Sequence, residues 1–224
     1  MARKVGNRET KPQGGVMIVG EGMTEWYYLQ SLKGIIATEV NPKVSEHKDG
    51  IGYIEKKIKE CIDKGADTVI CLIDMDNKQE GANAAKYQKF KAKYHNKSVV
   101  GKTSRNKARV EFYENFPCIE LWFYYYFGYS TASISSCEET IKKMKPHWAN
   151  YEKIEAYFKS LPRGIHPYIV NQLGGNFNTA LLNSLKSNTN RAEQGSGAYS
   201  EMKELFDKIL KEEYKKELPV YSKR

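Results

Sequence analysis

Thr68-Val69-Ile70-Cys71-Leu72-Ile73, followed at once by Asp74-Met75-Asp76, is the stretch that decides the fold. After its first residue the run is continuously apolar, the pattern of an interior strand of a parallel sheet with helices on both faces. It then stops at two acids one residue apart. Upstream, Ile51, Ile54, Ile58 and Ile62 are spaced three or four apart, and Gly65 stands where a C-cap belongs, which predicts an amphipathic helix. Further upstream, Val16-Met17-Ile18-Val19 lies between Gly15 and Gly20 and leads through Thr24-Glu25 into the helical spacing of Trp26, Leu29 and Leu32. Downstream, a loosely helical segment from Gln79 to about Tyr94 is followed by a short strand candidate, Ser98-Val99-Val100. Strand, helix, strand alternation of this kind predicts an α/β fold with a parallel-rich sheet flanked by helices.

Beyond the sheet the pattern becomes helical. Pro117 fits the first position of a buried helix running to Phe127, and helices are expected over 141–161, 178–185 and 199–214, the last with Met202, Leu205, Phe206, Ile209 and Leu210 as one stripe. Residues 187–197 read as an internal loop, a lid or a linker. The chain is thus expected to comprise a flexible basic tail (1–14), an α/β core (15–130) and a helical C-terminal annex (131–224).

Composition narrows the function classes. With 224 residues, 40% of them hydrophobic, the chain can bury a substantial core. Its 36 Lys and Arg against 27 Asp and Glu give a net charge of +9, which favours polyanionic partners without demanding them. Cys61, Cys71, Cys118 and Cys137 have no C-x-x-C spacing, and the four histidines share no ligand spacing, so neither a structural zinc site nor a disulfide scaffold is expected. No apolar stretch approaches a membrane span and the N-terminus lacks a signal core, so a cytoplasmic protein without membrane contact is expected.

The acids carry the chemistry. Glu21 follows the first apolar strand, and Asp74 and Asp76 follow the later one. The C-terminal ends of parallel strands share one edge, where ligands sit. Singly, each acid is equally a polar turn or a helix cap. Together they repel one another unless a cation lies between them, and hard oxygen donors suit Mg²⁺ or Mn²⁺. Such ions serve phosphoryl transfer.

This arrangement resembles the TOPRIM domain, with a Glu after the first strand and Asp-x-Asp after a later one. Glu21-Gly22-Met23-Thr24-Glu25, Leu72-Ile73-Asp74-Met75-Asp76 and Pro117-Cys118-Ile119-Glu120-Leu121-Trp122 together are similar to the RloB family of TOPRIM proteins, over roughly residues 15–215. The resemblance implies a metal-dependent, nuclease-like effector of phage defence working with an ATPase partner. It makes Glu21 a metal ligand or general base and Asp74 and Asp76 a metal-binding pair. Glu25 and Glu120 would hold a second metal or orient the first. Glu25 is equally an acid favoured in a first helical turn, whereas Glu120, amid aromatic residues, needs a partner if buried.

Lys102, Arg105, Lys107 and Arg109 concentrate four cations just after a predicted strand, expected close to the acidic edge. They are candidates for contact with nucleic-acid phosphates, and Lys102 is counted with the catalytic set as a neutraliser of developing charge. A solvated loop is the alternative. Gly15 and Gly20 have phosphate-loop spacing, but Glu21 stands where Lys is required, and the start of such a loop is missing before Gly101-Lys102-Thr103, which excludes ATP hydrolysis by this chain. The aromatic run from Trp122 to Phe127 fits a core or a subunit interface, the latter making a homo-oligomer an option. The leading expectation is a nuclease on DNA or RNA. A primase-like nucleotidyl transferase using the same carboxylates, and a non-catalytic adaptor for an ATPase, are the alternatives.

Overall fold

The structure is a computed structural model that describes residues 15–40, 50–130 and 134–216. The N-terminal tail, and Lys223 and Arg224, lie outside the described residues. Strands β1 (Gly15–Gly20), β2 (Glu39–Val40), β3 (Ala66–Asp74), β4 (Lys97–Val100), β5 (Lys107–Phe116) and β6 (Tyr199–Ser200) form one sheet in the order β2-β1-β3-β5-β4, with β6 also on β5. Neighbours among β2, β1, β3 and β5 are parallel, while β4 and β6 run antiparallel to β5. The α/β expectation holds.

The decisive run is the central strand. Side chains alternate across a strand, so Val69, Cys71 and Ile73 of β3 face one apolar cluster while Ile70 and Leu72 face the other. The first cluster is closed by α2 (Ile51–Asp63) and α3 (Gly81–Tyr94), through Ile54, Ile58, Ile62, Tyr87 and Phe90. The second is larger and is covered by α1 (Met23–Ser31), α4 (Glu120–Tyr125), α5 (Cys137–Met144), α6 (Glu155–Ser160), α7 (Ile165–Asn171), α8 (Phe177–Gln194) and α9 (Met202–Ile209). The short α10 (Glu212–Lys215) follows. Trp122, Phe123, Tyr125 and Tyr126 are buried here, so the aromatic run is core.

Several expectations need correction. Residues 187–194 are not a loop, because α8 continues to Gln194 and ends at Gly195, whose φ of 71° is the left-handed conformation that glycine adopts without cost. Ser184 and Ser187 face inward in α8 and bond Ser200, which makes a polar-looking sequence buried helix. Pro117 does not start a helix: the Phe116–Pro117 bond is cis, and α4 begins at Glu120. The segment 141–161 is two short helices separated by a turn carrying the buried Trp148, and the 199–214 stripe is divided among β6, α9 and α10. The C-terminal annex packs directly on the sheet. Its β6 pairs with β5, and its helices share one core with Ile18, Ile70 and Leu72.

Candidate metal centre

The turns after β1 and β3 lie side by side because those strands are parallel neighbours, with Gly20 opposite Leu72. Asp74 N–H donates to Glu21 Oε2 at 3.1 Å, joining the two strand ends. Gly20 and Gly22 let α1 approach this edge. A Cβ on Gly20 would lie 2.7 Å from Glu25 Cβ, and one on Gly22 would lie 2.8 Å from Glu25 Oε2. Glu25, in the first turn of α1, accepts the Gly22 N–H at 3.0 Å and is 3% exposed. Ile119 N–H donates to Asp74 Oδ1 at 2.9 Å, which brings the start of α4, and with it Glu120, to the same place.

Glu120 is fully buried. Its Oε1 accepts the Tyr151 hydroxyl at 2.6 Å and the Lys153 ammonium at 3.0 Å, while its Oε2 has no hydrogen-bond partner among the described residues. Burial raises the pKa of Glu25, against the pull of Lys153, and raises that of Asp74 well above the ordinary carboxylate range, where the charges of Glu25 and Glu120 add to the effect. Burial also raises Glu21, which Lys78 opposes. Lys153 is pushed up by Glu120, Asp74 and Glu25 against its own burial. Without a further cation the group therefore resists full ionisation. A buried orphan carboxylate oxygen beside two acids short of positive charge fits a hard divalent ion such as Mg²⁺ or Mn²⁺.

Asp76 sits at the rim. It is exposed, its Oδ1 accepts the Asn77 N–H, and its Oδ2 lies 3.8 Å from Cys137 Sγ. Cys137 is joined to Cys118 by a disulfide, although no disulfide scaffold was expected, because α5 returns over the start of α4. The two sulfurs and a Glu120 oxygen lie within 4.8 Å of one another, but bonded sulfurs offer no thiolate to a metal.

Of the sequence candidates, Glu21, Glu25, Asp74, Asp76 and Glu120 come together, and the cationic stretch does not join them. Lys102, Arg105, Lys107 and Arg109 lie at the N-terminal end of β5, whereas the carboxylates lie at the C-terminal end of β3. Arg109 pairs with Thr68 and Asn115 with Asp74, so Arg109 is about 20 Å from the acidic edge at 3.3 Å per residue. The expectation of proximity fails because β5 runs parallel to β3 and starts from the far side. Asp63 accepts the backbone N–H groups of Lys102, Thr103 and Ser104 there, which holds its carboxyl well below the usual range. Lys102 therefore cannot neutralise charge at this centre.

The cations that serve the acidic edge are Lys78 and Lys153, which the sequence reading passed over. Lys78 is 6% exposed and donates to Glu21 Oε1 at 2.7 Å and to the Asp74 carbonyl at 2.6 Å. Its place four residues after Asp74 was a usable signal. Lys153 had none, since it reaches the edge from a distant turn.

Among the described residues no helix is long and apolar enough to cross a membrane. No curated protein and no solved structure matches the chain. The family model described as RloB-like protein matches residues 16–209, a span that contains all five clustered carboxylates and both lysines. The chain therefore belongs to the RloB-like family.

Proposed function

We propose that the chain is a divalent-metal-dependent nuclease that hydrolyses phosphodiester bonds in DNA or RNA, with the carboxylates gathered at the C-terminal ends of β1 and β3 as its metal centre. The observation that carries this reading is Glu120 Oε2, a fully buried carboxylate oxygen with no hydrogen-bond partner among the described residues, next to Glu25 and Asp74. Glu25, Asp74 and Glu120 would hold Mg²⁺ or Mn²⁺, with Asp76 closing the group from the solvent side. Such an ion supplies Lewis acidity to a phosphate and lowers the pKa of bound water.

The chain's own residues do the rest. Lys78 and the Asp74 N–H fix both oxygens of Glu21, so that its carboxylate is oriented to take a proton from an attacking water. Lys153 offsets charge that collects on the phosphate and the acids together. The TOPRIM likeness extends the proposal to a phage-defence effector working with an ATPase partner. Of the aromatic and helical C-terminal part through which a non-catalytic adaptor would bind an ATPase, most of the aromatic run is buried and so is not a free surface.

Incubation with tRNA, plasmid and single-stranded DNA in Mg²⁺ or Mn²⁺, with and without nucleoside triphosphates, tests the proposal. Fragments that vanish in Asp74→Asn support the nuclease. Polymer made from triphosphates would replace it with nucleotidyl transfer, and no product under any condition would overturn it.

A further inference from the structure

Beside the carboxylates lies a second feature that the metal centre does not use. A cavity of about 210 Å³ opens between the start of α2 and the first turns of α3, lined by Glu21, Ile51, Asn77, Lys78, Asn83 and Lys86. Its floor is the Glu21–Lys78 pair. An ammonium has three N–H donors. Among the described residues Lys78 gives one to Glu21 Oε1 and one to the Asp74 carbonyl, which leaves the third for a guest of the cavity. Asn77, Asn83 and Lys86 add donors from the walls, and all three are exposed. Helix α2 enters on Gly50, which has no side chain to cap it, and has no acid in its first turn. The positive end of a 13-residue helix thus faces the same space. Two ammonium groups against one carboxylate make the lining net cationic among the described residues.

We propose that this cavity is a phosphate seat, in which Lys78, Asn83 and Lys86 hold a phosphate group next to the one presented to the carboxylates. A buried lysine whose charge is already matched by Glu21 would need no donor-lined cavity if its role were only to bridge two strands. Because Lys78 touches both Glu21 and the guest, occupation of the seat and the position of Glu21 are linked through one ammonium. The inference rests on the nuclease reading for its substrate class, since the phosphate would belong to the strand being cut. A nucleotide's phosphates have the same chemistry and are distinguished by experiment.

The test uses the full chain in excess EDTA, so that cleavage is silent. Binding of a short labelled single-stranded oligonucleotide is followed by anisotropy over a series of KCl concentrations, and binding of inorganic pyrophosphate is followed by ³¹P resonance. Asn83→Ala with Lys86→Gln alters exposed side chains only. It should weaken both ligands about three- to tenfold and reduce the oligonucleotide's salt slope by roughly one unit, the share of one cation. Lys78→Gln should weaken both further.

Loss for both ligands identifies a seat for any phosphate, and loss for the oligonucleotide alone identifies one that requires the strand. Parent-like affinity and slope in the exposed double variant overturn the seat, as does a parent that binds neither ligand. The seat and the nuclease reading fail separately. A parent that binds pyrophosphate through these residues but cleaves nothing keeps the seat and loses the nuclease. A double variant that binds and cleaves like the parent does the reverse.

Discussion

The two ends of the parallel strands are both charged and behave in opposite ways. At the C-terminal end, Glu25 and Glu120 are buried, Asp74 lies among them, and among the described residues their charges meet the ammonium of Lys153, while Lys78 pairs with the neighbouring Glu21. At the N-terminal end, Lys102, Arg105 and Lys107 project from a hairpin whose backbone Asp63 holds, and solvent takes up their charge. A Cβ on Gly101 would lie 2.2 Å from Asp63 Oδ1, so this end is also a specific structure. The difference lies in desolvation. Charges left in water cost little and are available to any partner, whereas charges taken out of water require a partner with a defined position. Chemistry is therefore expected at the buried end, although charge density along the sequence is higher at the other.

The comparison breaks most readily at its strongest point. Glu25→Gln combined with Asp74→Asn should abolish Mn²⁺ binding in titration calorimetry and lower cleavage by about 10³-fold or more, in the range of losses seen when a site's electrostatic partners are removed. The metal-free double variant should melt no lower than the parent, because two carboxyls whose ionisation burial opposes have been made neutral. Retained Mn²⁺ affinity would show that the buried end is only a polar knot.

Lys153→Met is expected to act through stability. It leaves fully buried Glu120 without its ammonium, and since Lys153 is itself about half exposed, the loss should be about 1–3 kcal/mol instead of the full cost of breaking a buried pair. Denaturant unfolding at neutral pH measures it. Saturating Mn²⁺ should recover part of the loss, because a ligand of the folded state stabilises it by mass action. Equal loss with and without Mn²⁺ would separate Lys153 from the metal centre.

How much of this was legible follows from what a sequence carries locally. Val16–Val19 and Val69–Ile73 read as buried strands because every residue repeats one message, and the acids after them read as a site because parallel strands place their ends together. Glu120 was suspect because it stood alone among aromatics. The strand over Lys107–Phe116 was hidden, since Glu111 and Glu114 face inward on ion pairs with Lys208 and Lys91 that no local pattern shows. Misplacing the cationic stretch followed from not seeing β5, since direction along the sheet decides which edge a loop occupies. Residues 187–194 looked like a loop because they are polar, yet Ser187, Asn188 and Asn190 bond within the fold.

Glu201 sharpens the comparison as a half-buried acid away from the metal centre. Burial, with the charge of Glu114 adding to it, pushes its pKa up to about 7. A carboxyl whose folded pKa lies above its unfolded value binds more protons in the folded state, so its contribution is fully present below about pH 4.5 and is lost as pH rises through about 7. Glu201→Gln can still accept the Glu114 N–H, made at 2.9 Å in the parent, and removes this titration. Relative to the parent it should gain about 1–3 kcal/mol between pH 5 and pH 8. A stability difference that stays constant over that range would show Glu201 to be ionised throughout, as an acid paired with Arg191 would be.

The smallest effect is expected at the N-terminal end. Replacing Lys102, Arg105, Lys107 and Arg109 with Gln removes four positive charges but leaves the backbone N–H groups that bind Asp63. It also removes the bond from Arg109 to Glu111, made at 3.0 Å by a mostly exposed guanidinium, which is worth at most about 1 kcal/mol. With roughly 20 Å of sheet between this hairpin and the carboxylates, cleavage of a short strand should stay within about twofold of the parent, far below what loss of a catalytic charge produces. Its salt slope should fall by less than one unit, against the roughly four expected if all four side chains touched phosphates. A fall of several units would mean that bound nucleic acid runs along β5 from one end of the sheet to the other. The hairpin would then be a remote clamp, with a strong dependence on strand length, and cleavage measured against oligonucleotides of increasing length would reveal it.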